Sequence, residues 1–257
     1  MPELPDLQVF SKNLNSIFAG KKLLKIKILN TKKIKDKPED LSKNLEGNIL
    51  TSVSRTGKEL RFLFANGALL GMHLMLHGNL YLFEKDNENK FTVAELYFEN
   101  KGLALTDWQG LANITLHPEE KKGIDALSNQ LNYDYLKRAL QCKAKVKNVI
   151  TNQDVIRGIG NAYADEILWE ARISPFSICS AISENKIHAL EKAIKTVLKN
   201  AEKQILKKHP DIITGEIRDF LKIHTKEKDV SPDGAVIKAD KKGGRITYYT
   251  DEQELFL

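Results

Sequence analysis

The chain opens Met1-Pro2-Glu3-Leu4-Pro5-Asp6, and two neighbours in this stretch make a reactive pair. Removal of Met1, which a small second residue favours, leaves Pro2 as a secondary amine with the Glu3 carboxylate beside it. An α-amino group titrates near ~7.7 to 8.0, roughly two or more units below a lysine, so a useful fraction is neutral at physiological pH without a buried environment. Such an amine attacks a carbonyl-like carbon. The proline nitrogen then becomes an iminium ion, a permanent cation that acts as an electron sink, with Glu3 as proton donor and acceptor. The same hexapeptide also reads as the solvated lead-in to a helix, with Pro5 and Asp6 in its first turn. The rest of the chain decides between the two.

A second stretch with chemistry in it runs from Asn152 to Glu166. In Gly158-Ile159-Gly160-Asn161 two glycines flank one apolar residue just before a helix, which leaves backbone N–H groups open to an anion, and Asn161 adds a further donor. A phosphate fits there. Lys58 follows Gly57 at a strand start, and Lys238, Asp240, Lys241, Lys242, Gly243, Gly244 and Arg245 make a basic turn. His73 and His77 do not read as a metal site. In a strand, positions four apart lie roughly 13 Å from each other at ~3.3 Å per residue, and no third ligand is near in sequence. Cys142 and Cys179 are far apart and make neither a disulfide framework nor a four-thiolate site, so a reducing, intracellular setting is expected.

These residues need elements to position them. Leu7, Phe10, Leu14, Ile17 and Phe18 recur at helical spacing with Gly20 past the end, a helix that fixes Pro2 and Glu3 at its positive N-terminus. Residues 24–28 alternate as a half-buried strand, and a short helix begins at Pro38 and stops at Gly47. Strands follow at 48–56, 59–65, 68–76, 80–83, 91–98 and 103–107, separated by turn residues, which predicts an antiparallel sandwich or flattened barrel flanked by the first helix. Beyond residue 120 helical periodicity takes over at 133–140, 144–151, 162–171 and 183–207. Residues 230–237 and 245–250 alternate as a β-hairpin around the basic turn. The fold class is α+β, with a β-sandwich domain over 1–120, a helical domain over 130–224 and a hairpin over 225–257.

The net charge of +6 over 257 residues gives weak support for a polyanionic partner. No apolar run approaches the ~18 residues of a membrane span, and no signal-peptide pattern precedes the helix.

Together these motifs resemble the formamidopyrimidine-DNA glycosylase and endonuclease VIII family, along the length of the chain. Pro2-Glu3-Leu4-Pro5 is similar to that family's opening, and Arg55-Thr56-Gly57-Lys58 to its lysine-bearing turn. Gln153 to Glu166 resembles its helix–two-turn–helix motif, and Gly243-Gly244-Arg245 the arginine turn of its C-terminal finger. The resemblance implies that the Pro2 amine attacks the sugar carbon bearing a damaged base, once the nucleotide is turned out of the duplex, and that the iminium drives strand cleavage by β- and δ-elimination. It implies Glu3 as the proton shuttle, Lys58 as an aid to base release and Arg245 in the second elimination. His73, Lys147, Gly158, Gly160 and Asn161 are implied to contact the DNA backbone and Leu76 to fill the emptied stack. Damaged double-stranded DNA is the implied partner, of a monomer in the cytoplasm or nucleoid.

Three departures bear on this. No cysteine follows Cys179, so the finger resembles a zincless version held by hairpin pairing and packing alone, and neither zinc nor any other cofactor is expected. The family's Arg-Arg-Phe turn is replaced by Asp107-Trp108-Gln109-Gly110-Leu111, so the residues that would fill the void and read the orphaned base are mostly missing. Asp6 stands for the usual glutamate and shortens a side chain near the amine. Two readings follow: a bifunctional glycosylase and abasic-site lyase, favoured by Pro2, Glu3, Lys58 and Arg245 together, and a damage-binding protein of the same fold that turns over poorly. An RNA-binding protein borrowing the helical motif leaves the N-terminal pair without a purpose.

Overall fold

Helix α1 (Leu4–Phe18) starts where the hexapeptide directs it, because Pro5 suits a first turn and Asp6 reaches back to cap it. Its inward stripe of Leu7, Phe10, Leu14 and Phe18 packs on two antiparallel sheets of four strands each. The first runs β1 (Leu23–Ile28), β6 (Thr92–Phe98), β7 (Gly102–Thr106), β5 (Asn79–Phe83); the second runs β2 (Leu50–Thr56), β3 (Glu59–Phe64), β4 (Leu69–His73), β8 (Asn113–Leu116). One hydrophobic cluster takes Leu23, Ile26, Leu96 and Leu105 from the first sheet and Leu50, Phe62, Leu70 and Ile114 from the second. Helix α2 (Pro38–Leu45) adds Leu41 and Leu45. This computed structural model describes residues 1–242 and 244–257, with Lys242 described by its backbone alone. It divides into a unit of 1–120 with 205–216 and a unit of 121–204 with 217–257.

The second unit begins with a parallel pair, β9 (Ile124–Asp125) and β10 (Ile156–Arg157), around α3 (Tyr133–Ala139) and α4 (Val146–Thr151). Helix α5 (Asn161–Glu170) follows, buried from Ala162 to Trp169, and then the long α6 (Glu184–Lys208). Leu190, Ile194, Leu198 and Ala201 form the inner stripe of α6. The antiparallel pair β11 (Lys238–Lys242) and β12 (Arg245–Tyr249) closes the unit. No helix among the described residues is long and apolar enough to cross a membrane.

Several expectations need correction. The strand expected over 68–76 ends at His73, and residues 74–78 form a turn in which Gly78 N donates to Leu74 O at 2.8 Å. A Cβ on Gly78 would stand 2.2 Å from that oxygen, so the turn admits glycine alone. Strand spacing therefore does not separate His73 from His77, although no group of three potential metal ligands occurs among the described residues. Strand β8 escaped the periodicity because its four residues carry a single buried side chain, Ile114.

The hairpin's first strand is the basic run 238–242, not 230–237. Lys242 pairs with Arg245, which sets the register, while Val230 and Val236 bridge a small loop of their own. Gly243 lies outside the described residues. This segment is also held by more than pairing and packing. The Glu252 carboxylate accepts from Trp169 Nε1 at 3.1 Å, Ser231 Oγ at 2.9 Å and Thr250 Oγ1 at 3.0 Å, and pairs with Arg172 at 3.1 Å. Burial works to raise its pKa, but these donors and the Arg172 charge outweigh it and hold the carboxyl below its ordinary value.

Cys142 and Cys179, distant in sequence, are brought together. Ser180 N donates to Cys142 O and Cys179 N to Ala144 O, both at 3.0 Å. Burial, and then the neighbouring Cys142, push the Cys179 thiol up to about 12.

Candidate active site

In the first unit the chain's start is drawn into the protein. Pro2 is buried and Glu3 is 4 % exposed. Glu3 is the N-cap of α1, and its backbone N–H donates to Asp6 Oδ2 at 2.8 Å while its side chain caps the Asp6 N–H. This reciprocal box fixes the direction in which the Glu3 carboxylate leaves the helix. The short side chain at position 6 is thus a fitted part of the cap, not merely a shortened glutamate. Pro2 lines a cavity of about 200 Å³ with Leu76, Asn79, Trp108 and Glu216. With Met1 in place the Pro2 nitrogen is an amide, and the Met1 ammonium pairs with Glu216.

Lys58 follows Gly57 in the two-residue turn between β2 and β3, where Thr56 pairs with Glu59 and Gly57 has φ +59°. Arg55 ties the turn to the first turns of α1, donating from Nε to Gln8 Oε1 and from Nη1 to Gly57 O, each at 3.0 Å. His73 closes β4, and its Nδ1 accepts from Met75 N at 3.0 Å, which holds Met75 at φ +53°. That bend lifts Leu76 into solvent, 53 % exposed. Leu76 shares the cavity wall with Pro2, as a gap-filling residue requires.

In the second unit Lys147, Asn161 and Arg245 come together in a cavity of about 350 Å³ that Lys145 and Thr247 also line. Arg245 is exposed. Lys147 is only 8 % exposed; its ammonium pairs with Asp165 Oδ1 at 2.6 Å and donates to Thr247 Oγ1 at 2.8 Å. Asn161 Nδ2 donates to Ile246 O at 2.9 Å. The glycine turn is less open than its spacing implies. Gly158 N donates to Gln153 Oε1 at 2.9 Å, and Gln153 Nε2 donates to Ile159 O at 2.8 Å, so one glutamine holds the turn from both sides. Gly158 accordingly shapes the turn, while Gly160 is the N-cap of α5.

Sequence reasoning assigned no role to two acidic neighbours that organise this unit. Asp165, fully buried, accepts from Tyr248 N at 3.0 Å and meets His224 Nδ1 at 2.7 Å besides Lys147. Glu166 accepts from the backbone N–H groups of Lys222, Ile223 and His224. Burial pushes the Glu166 carboxyl up, against the pull of those donors. The signal was available, since two adjacent acids on a helix otherwise buried throughout need partners. Glu216 had no such signal, because its segment carries no periodicity.

Comparison with known proteins places these features in a family. The family model of the formamidopyrimidine-DNA glycosylase N-terminal domain matches residues 1–114, and that of the formamidopyrimidine-DNA glycosylase H2TH domain matches residues 123–209. The formamidopyrimidine-DNA glycosylase of Mycoplasma genitalium is 31 % identical over 271 residues, covering 97 % of this chain and 94 % of that one. That of Psychromonas ingrahamii is 32 % identical over 214 residues, 79 % of each. Among solved structures, Lactococcus lactis Fpg with DNA containing an oxidised pyrimidine superposes with a TM-score of 0.87 at 25 % identity, covering 97 % of this chain and 98 % of that one. MutM in complex with DNA containing carbocyclic 8-oxo-G gives the same TM-score, identity and coverage.

Proposed function

The chain belongs to the formamidopyrimidine-DNA glycosylase family, and on that premise we propose how its residues divide the family's work. It is a base-excision-repair DNA glycosylase that acts on damaged DNA, and abasic-site lyase activity is general to its family. The observation that carries the assignment is the cavity where Pro2 lies beside a Glu3 fixed by its capping box.

Once Met1 is removed, the Pro2 nitrogen attacks the sugar carbon that bears the base, in a nucleotide turned out of the helix. The new N–C bond replaces the glycosidic bond, and the base leaves with a proton. Glu3 protonates the ring oxygen as the sugar opens to the iminium ion. The iminium draws electrons from the adjacent carbon, whose proton is lost, and elimination expels the neighbouring phosphate. Lys58 is the cation that assists base release and holds phosphate. Glu216, which pairs with the Met1 ammonium when that residue is present, lines the same cavity as Pro2. Lys147, Asn161 and Arg245 give the second unit a phosphate-binding cavity, with Arg245 an exposed cation on its wall and the residue we assign to the second elimination. Backbone clamping of this kind is independent of sequence, as repair at any site requires. We place the enzyme at the bacterial nucleoid, where its substrate is.

Borohydride trapping on an abasic-site duplex tests the nucleophile, with the adduct located by mass spectrometry. A covalent adduct on Pro2, absent from protein that retains Met1, is the expected result. Binding by Met1-free protein with no adduct overturns the assignment.

A further inference from the structure

Resting on the reading that Pro2 attacks a nucleotide turned out of a duplex, we infer that Trp108 is a stacking platform for the unpaired base left on the opposite strand, so that this enzyme accepts any base opposite its lesion. Trp108 is 61 % exposed, an unusual position for a side chain of this size, and it shares the cavity wall with Pro2 and Leu76. His77 lies against it, with ring centroids 5.0 Å apart and planes at 46°.

What holds the indole out is a rigid turn. Asp107, 3 % exposed, accepts from Gln109 N at 2.9 Å, Leu111 N at 2.8 Å and Ala112 N at 2.7 Å through its carboxylate, and from Gly110 N at 2.9 Å through its carbonyl. Gly110 has φ +64°, and a Cβ there would meet Asn30 Nδ2 at 2.8 Å. Lys32 Nζ braces the same turn by donating to Gln109 O at 3.1 Å. A large apolar side chain is therefore presented to solvent on a preorganised support, beside the nucleophile.

Turning a nucleotide out leaves a gap in one strand and an unpaired base in the other. Leu76 has the apolar character and exposure to enter the gap. Trp108, next to it, offers a π-face to the unpaired base, and stacking is indifferent to base identity because every base has a π-face. An indole carries one donor and no acceptor, too little to distinguish four bases by hydrogen bonds. Gln109 is the one amide side chain within the 107–111 turn, which makes it the natural control.

The chain's two tryptophans make the test direct, since Trp169 is 3 % exposed and bonded to Glu252. Met1-free full-length protein is titrated with four duplexes carrying a tetrahydrofuran abasic analogue opposite A, C, G or T. Saturation quenches the Trp108 emission with all four, affinities agree within about threefold, and Trp108→Ala weakens each by about 5- to 150-fold while Trp108→Phe restores most of the loss. Thermal unfolding followed by far-ultraviolet circular dichroism reports that the variants remain folded. An unquenched Trp108 in the saturated complex overturns the inference, as does a tenfold or greater opposite-base preference that Gln109→Ala abolishes. Borohydride trapping of the wild type on the same kind of duplex, with a natural abasic site in place of the analogue, separates the two readings. An adduct on Pro2 with no quenching in the duplex rejects stacking alone, whereas no adduct rejects the nucleophile.

Discussion

The buried pair between Asp165 and Lys147 ties the fold of the second unit to a residue we propose for DNA binding, and replacing Asp165 with Asn separates the two roles. At 2.6 Å and an effective dielectric near 20, the gross attraction of the pair is about 6 kcal/mol, largely offset by the cost of desolvating both ions. Removing one charge leaves the other buried without a counter-charge, which costs about 3–5 kcal/mol. Asp165→Asn also weakens the acceptor for Tyr248 N and His224 Nδ1, which tie β12 and residue 224 to α5. We expect urea unfolding, followed by Trp169 emission in a Trp108→Phe background, to show a loss of 3–5 kcal/mol, in a transition that reports this unit. Lys147→Met alone removes the costly ammonium and leaves Asp165 two polar partners, so it should lose less, about 1–3 kcal/mol. The double variant should then be more stable than the sum of the two single losses predicts, by at least 1 kcal/mol. Independence of the two losses, or an Asp165→Asn loss under 1 kcal/mol, would refute the pair as a structural element. DNA affinity provides the second readout. If Lys147 also reaches a phosphate, Lys147→Met lowers the salt slope of binding by about 0.9; an unchanged slope makes it a purely internal cation.

Two further outcomes follow from side chains whose role the structure makes specific. Asp6→Ala removes half the capping box and should cost about 1 kcal/mol of stability. Because Glu3 loses its fixed direction, single-turnover base release should fall by a larger factor than abasic-duplex affinity, and Asp6→Glu should recover more of that rate than Asp6→Asn. Glu252, with its pKa held below the ordinary 4.5, contributes stability that is fully present above that value and is lost as pH falls through the lowered one. Glu252→Gln should cost about 1–3 kcal/mol at neutral pH and flatten the acid limb of the stability profile, measured by Trp169 emission; an acid limb identical to that of the wild type would exclude Glu252 as its source.

How much was legible in the sequence depended on whether a residue acts through its neighbours in the chain or through distant ones. Pro2, Glu3 and α1 were legible because capping, first-turn proline and helical periodicity are local rules, and the sandwich followed from alternation between turn residues. The strand expected over 68–76 failed for a local reason that alternation does not carry. Leu74, Met75 and Leu76 keep an apolar character, but Gly78 must approach Leu74 O and His73 must accept from Met75 N, so the chain bends and Leu76 is lifted out. The hydrophobic run that looked like strand interior is the exposed turn we propose enters DNA.

The residues read as losses show the other limit. Asp6 looked like a truncated glutamate, and residues 107–111 looked like a recognition turn stripped of its arginines and phenylalanine, because a sequence shows which side chain is absent and not what the backbone does with the one that replaces it. Asp6 returns to Glu3 N from the third position of the helix, the bond that the N3 residue of a capping box makes. Asp107 gathers three backbone donors and so fixes the turn that holds Trp108 in solvent. In the finger, Glu252 likewise collects Trp169, Ser231, Thr250 and Arg172 from separate parts of the second unit. At Asp107 and Glu252 one carboxylate accepts from several donors, and a carboxylate has the lone pairs to do so. Asking which donors each buried acid must find locates Asp6 and Asp107, together with Asp165 and Glu166. A reader who counts missing cysteines and arginines would conclude that the site is degraded. Those acids organise the N-terminal cap, the turn beneath Trp108, and the packing behind the cavity of Lys147 and Arg245, so the departures from the family pattern coincide with rebuilt support.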